Sequence, residues 1–216
     1  MKVIIFDFDG TLADTLEPLL AITNRLAAEF NYPSLDLEAV QNLQKLSTRE
    51  IIRQSRIPPL KIPFLLRRLK ADLHKEIHQV NVFPGIPQAL KSLHQEGHQL
   101  GIVTSNSTEN VNVFLRAHQL NDLFDFVHSG TTIFGKHRII RRILRQRNID
   151  QSSVLYVGDE TRDIESAGKL PIQIASVTWG FNTRQVLAQF NPDYLLDTPA
   201  DLVHIMSKNQ STASQY

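Results

Sequence analysis

The chain has no cysteine. That absence rules out disulfides, thiolate nucleophiles and cysteine-based zinc sites. It also lacks a surplus of charge: 23 Lys and Arg face 22 Asp and Glu, for a net charge of +1. So even a balance gives no electrostatic case for nucleic acid or an anionic membrane as partner. No apolar run approaches the roughly 20 residues that span a bilayer. The start has no signal-peptide layout, and there are no internal repeats. The expectation is a cytoplasmic protein, monomer or dimer, that meets neither nucleic acid nor membrane. Its 216 residues suffice for a full core, as one large domain or as a core domain with an insert.

What the chain does have stands at its start. The short β-branched run Val3 to Phe6 ends in Asp7 and Asp9, two residues apart, followed by Gly10 and Thr11. In a strand, a spacing of two puts side chains on one face. Gly10 lets the backbone turn and approach a ligand closely. Asp-x-Asp-Gly is also compatible with an ordinary turn. A calcium loop does not fit, because Pro18 stands where the closing Glu would be.

Downstream, strand-like and helix-like segments alternate. Strands are expected at Gln99 to Thr104, Phe124 to His128, Val154 to Val157, Ile172 to Val177 and Asp193 to Leu196. Helices are expected at Thr108 to His118, Lys136 to Arg147 and Asp163 to Gly168. This rhythm predicts an α/β fold with a doubly wound parallel sheet. Residues 15–82 break it. Leu16, Leu19, Leu20, Thr23, Leu26, Ala27 and Phe30 recur at helical spacing. Leu37 to Leu46 reads as a helix, and Ser47-Thr-Arg-Glu50 is a capping box that starts another. Phe64 to Val80 is a further helical stretch. The reading is an all-helical insert, with residues 1–14 and 83–206 forming a Rossmann-like core and Phe83-Pro84-Gly85 a hinge. Residues 207–216 read as a flexible polar tail.

Four segments put polar residues where strands end or helices begin. They are Asp7-x-Asp9; Thr104-Ser105-Asn106; Lys136 after Gly135; and Asp159-Glu160-Thr161-Arg162-Asp163 after Gly158. On these motifs the chain resembles the haloacid dehalogenase superfamily, in its phosphatase branch with a helical cap. The Asp-Gly-Thr-Leu-x-Asp start and the cap size resemble the phosphoglycolate phosphatases of that branch. The resemblance spans about residues 2 to 205, including Thr178-Trp-Gly180 and Pro192 to Asp197.

The resemblance implies a Mg²⁺-dependent phosphomonoester hydrolase acting on a small phosphorylated metabolite. It implies Asp7 as nucleophile and Asp9 as general acid and base. Thr104 and Lys136 would hold the transferring phosphoryl group, with Ser105 and Asn106 lining the site or capping the next helix. The metal would sit on Asp7, Asp159 and the backbone carbonyl of Asp9, with Asp163 beside it. Asp9 favours ester hydrolysis over halide displacement, and Leu19 stands where mutases carry a cap histidine. His137 follows the lysine where many relatives have proline, with little effect expected. Arg49 is the first candidate for substrate selection, with Lys45 and Arg53 as rivals. Two other readings remain: a non-catalytic binding or regulatory protein on the same fold, and phosphonate cleavage through a cap lysine such as Lys45.

The His74/His78 and His94/His98 pairs read as solvated helix faces rather than metal ligands. The arginines at 138, 141, 142, 145 and 147 interleave with Ile139, Ile140, Ile143 and Leu144. They read as the solvated face of an amphipathic helix.

Overall fold

The computed structural model describes residues 2–55, 57–129 and 134–213. Six strands form one sheet: β1 (Val3–Phe6), β2 (Gln99–Val103), β3 (Phe126–His128), β4 (Val154–Gly158), β5 (Gln173–Val177) and β6 (Tyr194–Leu196). Their order is β3-β2-β1-β4-β5-β6, and every pairing is parallel. β1 is Val-Ile-Ile-Phe and buried throughout, as a central parallel strand covered on both faces must be. Its side chains alternate between two cores. Ile4 and Phe6 join one cluster of buried residues, Val3 and Ile5 the other. Because the strands run the same way, their carboxyl ends share one edge, and the chain leaves β1 in opposite directions toward β2 and β4. That crevice is where open α/β sheets place ligands.

Between β1 and β2 the described residues form five α-helices. Four belong to the insert: α1 (Leu16–Phe30), α2 (Leu37–Leu43), α3 (Thr48–Gln54) and α4 (Ile62–Glu76), the last running into a 3₁₀ turn at Ile77–Gln79. α1 packs on α4, and Arg25 meets Glu76 at 2.7 Å across them. The expected capping box is present: Ser47 and Glu50 bond reciprocally at the start of α3. The two crossings between insert and core are stitched together. The Asp14 N–H donates to the Asn81 carbonyl at 2.9 Å, and the Phe83 N–H to the Leu12 carbonyl at 3.2 Å.

The fifth is α5 (Ile86–Gln95), a helix the sequence reading did not expect, starting directly after the segment 83–85 read as a hinge. Pro87 sits in its first turn, where a missing N–H costs nothing, and Gly85 takes φ +88° just before it. The core continues with α6 (Thr108–Ala117), α7 (Lys136–Gln146), α8 (Thr161–Ala167), α9 (Arg184–Gln189) and α10 (Pro199–Ala213). α10 carries helical backbone through much of the expected tail. Leu202 and Met206 are buried under it, and Ser207 donates back to the Val203 carbonyl at 3.1 Å. Along α7 the arginines are exposed while Ile140, Ile143 and Leu144 are buried, as the sequence pattern requires.

Candidate active site

Asp7 follows β1 directly, its N–H donating to the Val157 carbonyl on β4 at 2.8 Å. This places its carboxylate at the crevice, 1% exposed. The Lys136 ammonium, from the first residue of α7, donates to Asp7 Oδ2 and to Asp163 Oδ1, the latter at 2.6 Å. Lys136 and Asp163 are fully buried. Asp163 also accepts the Glu160 N–H at 3.2 Å, which ties the acidic loop into the N-terminus of α8. Asp159 is cradled separately. The Thr11 hydroxyl donates to one of its oxygens at 2.7 Å and the Phe181 N–H to the other at 2.8 Å.

This concentration of acid perturbs its own ionisation. Burial pushes the Asp7 carboxyl up to about 6 against the opposing pull of Lys136. Burial, together with Glu160, Asp7 and Asp163, holds Asp159 well above the usual carboxylate range. Burial works against charge on Lys136, but Asp163 and Asp7 outweigh it and raise its pKa.

Asp9 faces another way. The Asn106 side-chain amide donates to both of its oxygens, at 3.0 and 3.1 Å. Burial raises the Asp9 carboxyl, and this amide limits the rise. Asn106 is fixed in turn: its Oδ1 accepts from the Ser107 N–H and from Asn110 Nδ2 at 2.9 Å. Asn110 Nδ2 also donates to the Lys70 carbonyl on α4 at 3.0 Å. Its Oδ1 is thus the acceptor at 2.7 Å from His74, which sets that ring as donor through Nδ1. A chain of amides connects Asp9 to the cap.

The model for haloacid dehalogenase-like hydrolases matches residues 4–177. The chain belongs to this family. A phosphoglycolate phosphatase from Synechococcus elongatus is 38% identical over 96% of this chain and 98% of its own length. The pyrophosphatase PpaX of Bacillus velezensis is 28% identical over 95% of this chain and 96% of its own. The crystal structure of a "predicted phosphatase" from Clostridium acetobutylicum has a TM-score of 0.82 at 21% identity, covering 96% of this chain and 98% of that one. Relatives of similar architecture thus carry names for different substrates.

Within this family member, the structure brings Asp7, Asp9, Thr104, Asn106, Lys136, Asp159 and Asp163 to one crevice. Thr104 is buried, and its hydroxyl oxygen accepts the Asn106 N–H at 2.9 Å. Ser105 is half-buried in the same loop. Neither Ser105 nor Asn106 caps α6; Ser107 does, accepting the Asn110 N–H at 3.1 Å. Asn106 is spent on Asp9 instead.

Arg49 is placed elsewhere. Its guanidinium binds Glu165 of α8 through Nε and Nη2 at 3.0–3.1 Å and lies over the Phe134 ring at 5.0 Å. Its side chain is 60% exposed. Lys45 and Arg53 are exposed too. None of the three lines the cavity beside Asp9. The histidine pairs split. His78 and His94 are exposed, whereas His74 meets Asn110 and His98 is buried, accepting the Lys2 N–H at 3.1 Å. The reading of four solvated histidines therefore holds for two of them, because packing, not spacing, decides burial.

Two residues named only within motifs, Gly180 and Arg162, and one the sequence did not single out, Asn182, complete the site. Gly180 packs against Asp159: a Cβ there would lie 2.3 Å from the Asp159 Cβ and from the Gly10 carbonyl. Arg162 donates to Glu160, and its Nε is buried without a hydrogen-bond partner among the described residues. Asn182 binds the Thr161 N–H at 3.0 Å and reaches the Gln44 and Leu46 carbonyls of the cap.

The donor set suits a hard divalent cation. Asp7, Asp159 and Asp163 each offer an oxygen, all within 4.8 Å of one another and all buried. Oxygen-only ligation fits Mg²⁺ rather than a soft metal. The Asp9 carboxylate, turned to Asn106, stands outside this group.

Proposed function

We propose that this chain is a Mg²⁺-dependent phosphomonoester hydrolase that works on a small phosphorylated metabolite through an aspartyl-phosphate on Asp7. The phosphatase names of relatives spanning nearly the whole chain support the hydrolase. The observation that carries the mechanism is the division of labour between two neighbouring acids. Asp7 is pinned by the Lys136 ammonium, while Asp9 is turned toward an amide and kept apart from the cation-binding group.

A carboxylate held ionised by a lysine is a nucleophile. The Asp9 carboxyl, raised by burial and held by the Asn106 amide, is the proton donor. In the first step an Asp7 oxygen bonds to phosphorus, the ester P–O bond breaks, and Asp9 gives its proton to the leaving alkoxide. In the second, Asp9 takes a proton from water. The resulting hydroxide attacks phosphorus, and the bond to Asp7 breaks to release phosphate. Thr104 has already accepted its backbone bond, so its hydroxyl proton is available to a phosphoryl oxygen. Bound Mg²⁺, held by Asp7, Asp159 and Asp163 with the Asp9 carbonyl, would supply the positive charge that phosphoryl transfer requires.

The four acids present argue against a non-catalytic role, and Lys45, the cap lysine considered for phosphonate cleavage, is exposed and outside the cavity lining. The relatives' names make 2-phosphoglycolate an obligatory member of a substrate panel. Release of phosphate from that panel should require Mg²⁺ and stop in EDTA. Asp7→Asn should fall to background with its fold intact by circular dichroism. Near wild-type turnover by Asp7→Asn would remove the nucleophile assignment, and full activity in EDTA would remove the metal.

A further inference from the structure

A cavity of about 360 Å³ opens from Asp9, Gly10 and Asp159 into the cap. That volume lies within the range of small-molecule sites, well above what a two-carbon alcohol fills. Its cap walls include Leu19, Leu20, Leu43, Ile51 and Leu66, and Trp179 and Phe181 close it from the core. The charged groups that line it are all carboxylates: Asp9, Asp14, Asp159 and Glu160. No lysine, arginine or histidine is among its described lining residues, and Arg162 is turned to Glu160. The half-buried Lys70 of α4 acts on Asp9 from outside this lining. An anionic leaving group inside the cavity would give up water with no cation on the wall to pair with it.

Resting on the hydrolase reading, we propose that this cavity holds the leaving alcohol and that the alcohol is an uncharged, apolar one. The substrate class is a phosphate monoester of an alkyl or aryl alcohol. Asp9 lies on the lining, so the oxygen it protonates sits at the cavity mouth and the carbon body points into the leucine walls. The likeness in sequence to phosphoglycolate phosphatases then does not extend to the leaving-group pocket.

The test is the full chain with Mg²⁺ on n-alkyl phosphates from ethyl to hexyl, with 2-phosphoglycolate alongside. The longer primary alcohols differ little as leaving groups, so kcat/KM along the series reports burial. Each methylene should raise it roughly three- to four-fold, the equivalent of about 0.8 kcal/mol per buried CH₂. Leu20→Phe and Leu66→Phe, checked for folding by circular dichroism and thermal unfolding, should each cut the hexyl-to-ethyl ratio by about tenfold or more. A flat series, or 2-phosphoglycolate preferred over hexyl phosphate, would overturn the apolar pocket and leave the hydrolase standing. Hydrolysis of no ester at all would overturn both.

Discussion

Lys136 neutralises one charge, yet three buried carboxylates crowd around it. Burial, with Asp163 adding to it and Lys136 opposing, raises the Asp7 carboxyl to about 6 in place of 3.8. Between those values the folded chain binds a proton that the unfolded chain has released. Stability without metal therefore falls as pH rises through that window, and the loss persists above it. A cation that needs ionised ligands competes with the same proton. The rise in Tm on adding Mg²⁺, relative to EDTA, should thus be small near pH 5 and complete by about pH 7.5. There, a Mg²⁺ concentration of about 100 Kd contributes roughly 2.7 kcal/mol. Thermal unfolding in both buffers at both pH values measures it. A shift equal at the two would mean that these carboxylates are not the ligands. The acids themselves were legible in the sequence, because two lie on one strand end and two on one loop. Their partners were not: Asn106 meets Asp9 across 97 positions and Thr11 meets Asp159 across 148.

At the scale of elements, α6 does more than cover the sheet. Asn110 occupies its first turn, 1% exposed, and satisfies Asn106 on the core side and the Lys70 carbonyl and His74 on the cap side. Asn110→Ala would remove one partner from each of those groups, at about 1–3 kcal/mol in all. At 2–4 °C per kcal/mol for a chain of this size, Tm should drop by roughly 2–12 °C. Asp9, held by a looser Asn106, should then protonate poor leaving groups less well. kcat should fall more on alkyl esters than on aryl esters, whose leaving groups need no proton. An equal fall on both would make Asn110 purely structural. Elements with strong local signals were readable in advance: the β-branched runs of β1 and β4, the capping box at Ser47, the amphipathic α7. α5 was not, since Pro84-Gly85-Ile86-Pro87 signals a break that the fold uses as a helix start. The cavity was unreadable for a deeper reason. Leu19 and Leu20 recur at helical spacing as core leucines do, and only packing reveals that they face open space.

Over the whole molecule, cap and core meet along a second seam beside the site, apart from the contacts of α6 with α4. Thr48 donates through its hydroxyl to Glu160 and through its N–H to the Thr161 hydroxyl oxygen, Asn182 holds two carbonyls near the end of α2, and Arg49 grips Glu165. All these core residues belong to the acidic loop, to α8, or to the segment that cradles Asp159. The seam therefore fixes how the apolar cavity sits over Asp9, and movement of the cap would load directly on the catalytic acids. Arg49 tests this arrangement. The sequence presents it as the first candidate for substrate selection, which requires its guanidinium to be free and aimed at the site. Its bidentate bond to Glu165, its stacking on Phe134 and its place outside the cavity lining give it a different task. It clips the start of α3 to α8. The pair is solvent-exposed, so stability should change little on removing it. Arg49→Ala should loosen the seam and lower kcat/KM on 2-phosphoglycolate and on an aryl phosphate by the same factor, within about twofold. Glu165→Gln, which leaves the arginine in place but weakens its anchor, should reproduce the effect. Measuring both esters in both variants decides between the roles. A loss of tenfold or more confined to the carboxylated ester would return Arg49 to substrate selection, because a clip between helices has no means of sensing the charge on a leaving group.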